Sequence, residues 1–123
     1  MRDYTFRGRD MFGVWHEGYI SQRGENAIIT PKNSRSGVGY YVDRETVGQY
    51  IGLTDVNGKK IFEGDILRYD NGIFEVGYYE PHMAFYFFGA FGRGGVNGFT
   101  KKSNRYEVVG NKWDNPELLG VAQ

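Results

Sequence analysis

Glu63 and Asp65 are the two side chains whose spacing comes closest to what catalysis needs. Two carboxylates two residues apart on an extended chain share one face, where one could act as general acid and the other as general base. Gly64 stands between them, and the three residues are typical of a solvent-facing turn, which gives no reason for a raised pKa. No His or Lys stands at a useful offset, so we assign no catalytic residue and keep a small enzyme as the last alternative.

Metal ligands and other nucleophiles are scarce in this chain. It has no Cys, which excludes a disulfide framework, a Cys-ligated zinc site and a Cys nucleophile. The two histidines, His16 and His82, each stand among turn residues and are interpreted as surface imidazoles. None of the serines lies in a G-x-S-x-G motif. We therefore expect neither a metal nor another cofactor.

Residues 89–105 combine a glycine-rich run with four basic side chains, and residues 91–105 contain no acid. The run is no phosphate-binding loop, because the Gly-Lys-Ser/Thr ending and a following helix are both missing. It is interpreted as a flexible hairpin loop or, alternatively, as a nucleic-acid-binding loop with one RGG unit and nearby stacking rings. The residues of that alternative are Arg93, Lys101, Lys102, Arg105, Tyr78 and Tyr86.

The composition indicates an all-β protein. Val, Ile, Phe, Tyr, Trp and Thr make up 43 of the 123 residues, whereas Ala, Leu, Met and Gln make up 14, which argues against a helical bundle. The 19 glycines indicate many tight turns between short strands. The net charge is zero, and no apolar run approaches a membrane span, so we expect a cytoplasmic protein without membrane contact.

The order of apolar runs and turn residues predicts short antiparallel strands with minor helical turns. We expect a hairpin around His16-Glu17 and a strong hairpin whose turn is Asp70-Asn71-Gly72. Asp43 offers a cap for a short helical turn over 44–48, but the period-two spacing of the residues that follow favours an extended segment over 47–53. The last part, residues 55–123, is predicted to form a small SH3-like β-barrel. Residues 1–54 are predicted to form β-hairpins packed on it, either as a separate region or as one continuous domain.

The stretch YIGLTDVNGKKIFEGDIL, residues 50–67, resembles the central signature of the YopX family of phage and prophage proteins. That signature reads G-L-x-D-x-N-G-K-x-I-[YF]-E-G-D-I. Further blocks similar to the family are VDRETVGQY at 42–50, FRG at 6–8, GVW at 13–15, EGY at 17–19, VGN at 109–111 and NPELL at 115–119. The resemblance implies a β-rich protein of the bacterial cytoplasm, encoded by a phage or prophage, and it supplies no catalytic residues.

Turn chemistry alone explains the polar residues of this signature. The structural-turn residues are Asp55, Asn57, Gly58, Gly64 and Asp65. Asn and Gly tolerate a positive φ, and Asp65 can accept hydrogen bonds from backbone amides two residues further on. The apolar neighbours Ile61, Phe62, Ile66 and Leu67 are predicted to be buried around the Gly64 corner.

The function we favour from the sequence is a non-catalytic binding or assembly module. Eight aromatic residues crowd positions 69–88, and the run Met83–Phe88 is apolar on both faces. One small core would leave part of it exposed, which favours a protein partner or self-association into a homo-oligomer. The alternative is an accessory nucleic-acid-binding protein that uses the loop 89–105.

Overall fold

The structure, a computed structural model, describes residues 3–89, 96–99 and 105–120. Those residues form an all-β protein of short antiparallel strands, with single turns of 3-10 helix between some of them. This confirms the fold class expected from the composition. The chain divides into two compact units, Met1–Tyr50 and Ile51–Gln123.

The first unit is built around one long strand that belongs to two ladders. Its strands are β1 (Phe6–Arg9), β2 (Trp15–Arg23), β3 (Asn26–Thr30), β4 (Tyr40–Val42) and the beginning of β5 (Gly48–Thr54). The first residues of β2 pair with β1, and from Tyr19 onward β2 pairs with β3 instead. β1 also pairs with β5, and β3 with β4. The strand order in this unit is therefore β4-β3-β2-β1-β5.

Gly18 stands where β2 changes partner, and it has no room for a side chain. A Cβ atom there would lie 2.0 Å from the Thr30 carbonyl oxygen, so only glycine allows the end of β3 to lie this close to β2. The interior that results contains Ala27, Ile29 and Val42 as buried residues, with Phe6 and Val47 packed against them.

We expect Gly18→Ala to lower the free energy of unfolding of the first unit by about 2 kcal/mol, because backbone rather than a side chain would have to move. Urea denaturation followed by tryptophan fluorescence measures the change. Gly24→Ala is the control for backbone strain without a clash, since Gly24 has φ 61° but a Cβ there has nothing within 4 Å. Equal midpoints for the two variants would contradict this account of the partner change.

The second unit contains a five-stranded sheet in the order β10-β9-β8-β7-β11. The strands of this sheet are β7 (Asp65–Tyr69), β8 (Gly72–Tyr79), β9 (Ala84–Gly89), β10 (Val96–Gly98) and β11 (Glu107–Asn111). A further short strand of the unit, β6 (Lys60–Phe62), precedes them in the sequence. The predicted hairpin of β7 and β8 is confirmed, and its turn residues Asp70 and Asn71 both have a positive φ. The buried core is Ile61, Leu67, Val76, Phe87 and Tyr106. Closure of this sheet into an SH3-like barrel stays a prediction.

One of the predicted elements is wrong. The hairpin around His16-Glu17 does not exist, because β2 runs through both residues and the turn lies earlier, at 10–14. The extended segment over 47–53 is confirmed, since β5 runs from Gly48 to Thr54 and Val47 before it also has an extended backbone. It follows a turn of 3-10 helix over Arg44–Thr46, which Asp43 caps by accepting a hydrogen bond from the Glu45 amide.

The glycine-rich segment 89–105 is also not one loop. β10 occupies Val96–Gly98 and pairs with β9, so Asn97 lies opposite Phe87 and Gly98 opposite Tyr86. Residues 90–95 and 100–104 lie outside the described part of the chain, and with them most of Phe99–Lys102, where the sequence favours a further strand. One of the expected minor helical turns lies at Pro116–Leu119, where Asn-Pro before the apolar pair favours it.

Candidate functional site

The Asp55 carboxylate is the centre of the turn that opens the YopX-like signature. One of its oxygens accepts hydrogen bonds from the Asn57 and Lys59 amides, each at 2.8 Å, and the other accepts one from the Val108 amide at 3.0 Å. Gly58, with φ 80°, completes the turn by donating its amide to the Asp55 carbonyl. A single side chain thus joins the β5–β6 turn to β11, fifty-three positions away in sequence.

The pKa of Asp55 lies below its usual value of 3.8. Burial raises this pKa, but the amides of Val108, Lys59 and Asn57 outweigh it by stabilising the ionised carboxylate, and the Lys59 charge adds to them. A carboxyl group held in this way acts as a structural hydrogen-bond acceptor. A general acid would need a raised pKa, whereas the pKa of Asp55 is lowered.

Gly64 and Asp65 form the corner between β6 and β7. Gly64 has φ 91°, donates its amide to the Val76 carbonyl and accepts a hydrogen bond from the Lys112 amide. Asp65 is 1% exposed, and its carboxylate accepts the Phe62 amide at 2.8 Å. The expectation of a solvent-facing turn is therefore wrong for Asp65, and the Phe62 amide that it binds lies three residues before it.

The signature offers no arrangement for catalysis or metal binding. Asp65 is turned toward the backbone, so Glu63 and Asp65 do not present a pair of carboxylates to solvent. In the parts of the chain that the structure describes, no group of three or more His, Asp or Glu could hold a metal ion. What the signature can do chemically is hold backbone segments together.

The candidate nucleic-acid residues are not brought together where the structure describes them. Arg105 forms an ion pair with Asp70 at 3.1 Å, and its guanidinium lies over the Tyr69 ring. Tyr78 pairs with Phe85 across β8 and β9, whereas Tyr86 pairs with Gly77, so the two tyrosines face opposite sides of the sheet. Arg93, Lys101 and Lys102 lie outside the described residues.

The aromatic residues at 69–88 are mostly used to build the second unit. Phe87 is 3% exposed, and the Tyr69, Phe74 and Tyr106 rings pack around it in edge-to-face contacts. Tyr86 packs against Tyr79 and hydrogen-bonds the His82 ring. Of the large apolar side chains at 69–88, Tyr78 and Met83 are exposed, and the others are buried or half-buried. The exposed apolar surface expected for this segment is therefore small.

Most of the exposed large apolar side chains that the structure describes lie in the first unit instead. Two of them, Met11 and Phe12, are neighbours in the turn between β1 and β2 and are 88% and 82% exposed. We call the turn Asp10–Val14 the apolar hairpin tip. The sequence analysis did not predict this exposed tip. Asp10 and Gly13 indicate a tight turn, and the apolar pair between them could have been recognised as exposed on that turn.

Asp10 fixes the conformation of the apolar hairpin tip. Its carboxylate accepts hydrogen bonds from the Phe12 amide at 2.8 Å, the Val14 amide at 2.9 Å and His16 Nε2 at 2.8 Å. Its backbone amide also donates to the Val14 carbonyl. The hydrogen bond from His16, together with the two amides, holds the pKa of Asp10 below its usual value, although desolvation opposes them.

Two cavities open on the first unit. One, of about 560 Å³, lies beside the apolar hairpin tip and is lined by Arg9, Asp10, Met11, Gly13, Tyr41, Val42 and Asp43. The other, of about 500 Å³, which we call the Ile20 cavity, is lined by Ile20, Ser21, Gln22, Ala27, Arg44 and Val47. Both volumes are in the range of protein binding sites, and neither lining contains a catalytic arrangement.

Comparison with protein families shows which family this chain matches. A family model described as YopX protein matches residues 7–120. The matched span begins in β1 and includes both units, the signature turns and the apolar hairpin tip. The comparison with curated proteins gives no match.

Proposed function

This chain belongs to the YopX family, and we propose that it acts as a non-catalytic protein-binding module whose contact residues are Met11 and Phe12. The observation that carries the proposal is their exposure, 88% and 82%, on a turn that its own hydrogen bonds keep rigid. Adjacent large apolar side chains in water are costly unless something covers them. A rigid turn also loses little conformational entropy when it binds.

The chemistry around the apolar hairpin tip favours a protein over a membrane or a nucleic acid. Two carboxylates, Asp10 and Asp43, line the adjoining cavity against one guanidinium, Arg9. Anionic headgroups and phosphates would meet a local excess of negative charge there. In the described parts of the chain, no helix is long and apolar enough to cross a bilayer. The partner that fits is a folded protein with a concave apolar pocket.

The test is a comparison of three immobilised proteins: wild type, Met11→Ser/Phe12→Ser and Met83→Ser. Met83 is the matched control, because it is an apolar residue 79% exposed on a turn of the second unit. We expect wild type and Met83→Ser to bind the same partner, and the double variant to bind it at least a hundredfold more weakly, since two buried apolar side chains contribute about 3–6 kcal/mol.

Thermal melting shows whether the double variant is folded. Because both side chains point into solvent, its melting temperature should equal that of wild type. A partner that binds the folded double variant as tightly as wild type would contradict the proposal.

The finer features of the proposal rest on the family resemblance. According to these features, the protein works in the cytoplasm of a bacterial host, and a phage or prophage encodes it. Nucleic-acid binding through Arg93, Lys101, Lys102 and Arg105 stays a prediction, and no described contact favours it.

A further inference from the structure

We propose that the apolar hairpin tip of one molecule inserts into the Ile20 cavity of a second copy of this chain. The inference rests on the proposed function and names its partner. A convex apolar feature and a concave apolar feature occur on the same unit, so each molecule carries both halves of the contact. The tip of one copy can therefore cover the cavity of another without any further partner.

The Ile20 cavity is an uncovered part of the core of the first unit. Ile20 pairs with Ile29 and Gln22 pairs with Ala27, so these four side chains share the face that carries the core. Ile29 is fully buried, whereas Ile20 on the same face is 37% exposed. One or two apolar side chains from outside would complete the burial of this face.

The lining of the cavity suits Met11 and Phe12. Ile20, Ala27 and Val47 supply an apolar floor. Arg44 is the charged residue of the lining, and a guanidinium can stack on the face of an inserted phenyl ring. An unbranched thioether such as that of Met11 adapts to the remaining space.

Within one molecule, the apolar hairpin tip lies too far from the Ile20 cavity to enter it. The tip precedes the first residue of β2, Trp15, whereas the cavity is lined from Ile20 to Gln22 farther along the strand. Five to seven residues of extended chain span about 16–23 Å. The change of partner at Gly18 also lies between them. Insertion therefore takes place between molecules.

Electrostatics do not oppose contact between copies. The formal net charge of the chain is zero at pH 7, so two molecules approach without long-range repulsion. The lining of the Ile20 cavity contains a single charged residue, so it would not select a strongly acidic or strongly basic partner. A neutral partner such as a second copy of this chain is therefore favoured.

The test is sedimentation of the full chain over a range of concentrations. Phe12→Asp removes the inserting residue and leaves the cavity, whereas Gln22→Trp fills the cavity and leaves the tip. We expect wild type and a Met83→Asp control to associate reversibly, and each of the two variants to associate at least tenfold more weakly. An equal mixture of Phe12→Asp and Gln22→Trp should form a one-to-one complex, because one molecule supplies the cavity and the other the tip.

Three outcomes would overturn the proposal. They are a wild type that stays monomeric up to about 1 mM, association of Phe12→Asp equal to that of wild type, and failure of folded variants to combine when mixed. Circular dichroism of each variant establishes that it is folded. If wild type is monomeric while Met11→Ser/Phe12→Ser still loses a captured protein, the proposed function stands and only the second copy is excluded.

Discussion

Replacing Gly64 with Val is expected to lower the free energy of unfolding of the second unit by about 4 kcal/mol, from backbone strain and overpacking together. The strain arises because Gly64 has φ 91°, which a branched side chain resists. The overpacking arises because a Cβ there would lie 2.3 Å from the Trp113 ring. The ring cannot move aside freely, since Lys112 next to it donates its amide to the Gly64 carbonyl.

Gly52→Val is the control that separates these two causes. Gly52 has φ 90°, nearly the same as Gly64, but a Cβ there has nothing within 4 Å. We expect it to cost about 1–2 kcal/mol from strain alone. Chemical denaturation of both variants gives the difference, and similar losses would show that contact with Trp113 is not a significant cost.

Asp55→Leu is expected to destabilise the second unit by about 3 kcal/mol, because the amides of Asn57, Lys59 and Val108 all lose their acceptor. Asp55→Asn should cost about half as much, since an amide side chain keeps one oxygen and turns an N–H₂ group toward the third donor. Hydrogen exchange locates the loss: we expect the Val108 amide to exchange faster in Asp55→Asn while the Asn57 amide stays protected.

Asp43→Asn is the matched control for Asp55→Asn. Asp43 also accepts a backbone amide, that of Glu45, but it is exposed and acts as a helix cap, a role that Asn fills equally well. We expect no measurable change in stability. A loss as large as that of Asp55→Asn would mean that any Asp-to-Asn change destabilises this protein.

The same carboxylate predicts part of the acid sensitivity. Because the pKa of Asp55 is lowered in the folded protein, its contribution to stability is present above the unfolded value of 3.8 and is lost as the pH falls through the lower folded value. The melting temperature of wild type should therefore fall below pH 4. The difference between wild type and Asp55→Asn should shrink over that range, and a constant difference would contradict this assignment.

Local turn chemistry explains why parts of this fold follow from the sequence. Asp70 and Asn71 adopt the positive φ values that a two-residue hairpin turn requires, and both residue types tolerate them. The apolar residues around Gly64 are buried as expected: Ile61, Phe62, Ile66 and Leu67 are each at most 2% exposed. Each of these predictions needs only residues that are close together in the chain.

The features that the sequence does not predict depend on residues far apart. Nothing near Asp65 indicates its burial, because the segment at Lys112 and Trp113 packs on the neighbouring Gly64. Nothing near Gly18 indicates that β2 changes partner there, because the cause is the approach of Thr30. The exposure of Met11 and Phe12 was missed for a related reason: apolar residues are assumed to be buried unless the turn that carries them is recognised.

β11 lies at the end of the strand order described for the second unit, and its outer side is already occupied. The Val108 amide is bound by Asp55, the Tyr106 carbonyl accepts the Val56 amide, and the pairing with β7 is irregular between Val108 and Gly110. Open, regular sheet edges are the templates from which amyloid and other aggregates grow. A neutral chain so rich in β-branched and aromatic residues is at particular risk, and the turn at Asp55 removes one such template. Either substitution of Asp55 should therefore shorten the time before a concentrated solution of the protein becomes turbid, even under conditions where the protein remains folded.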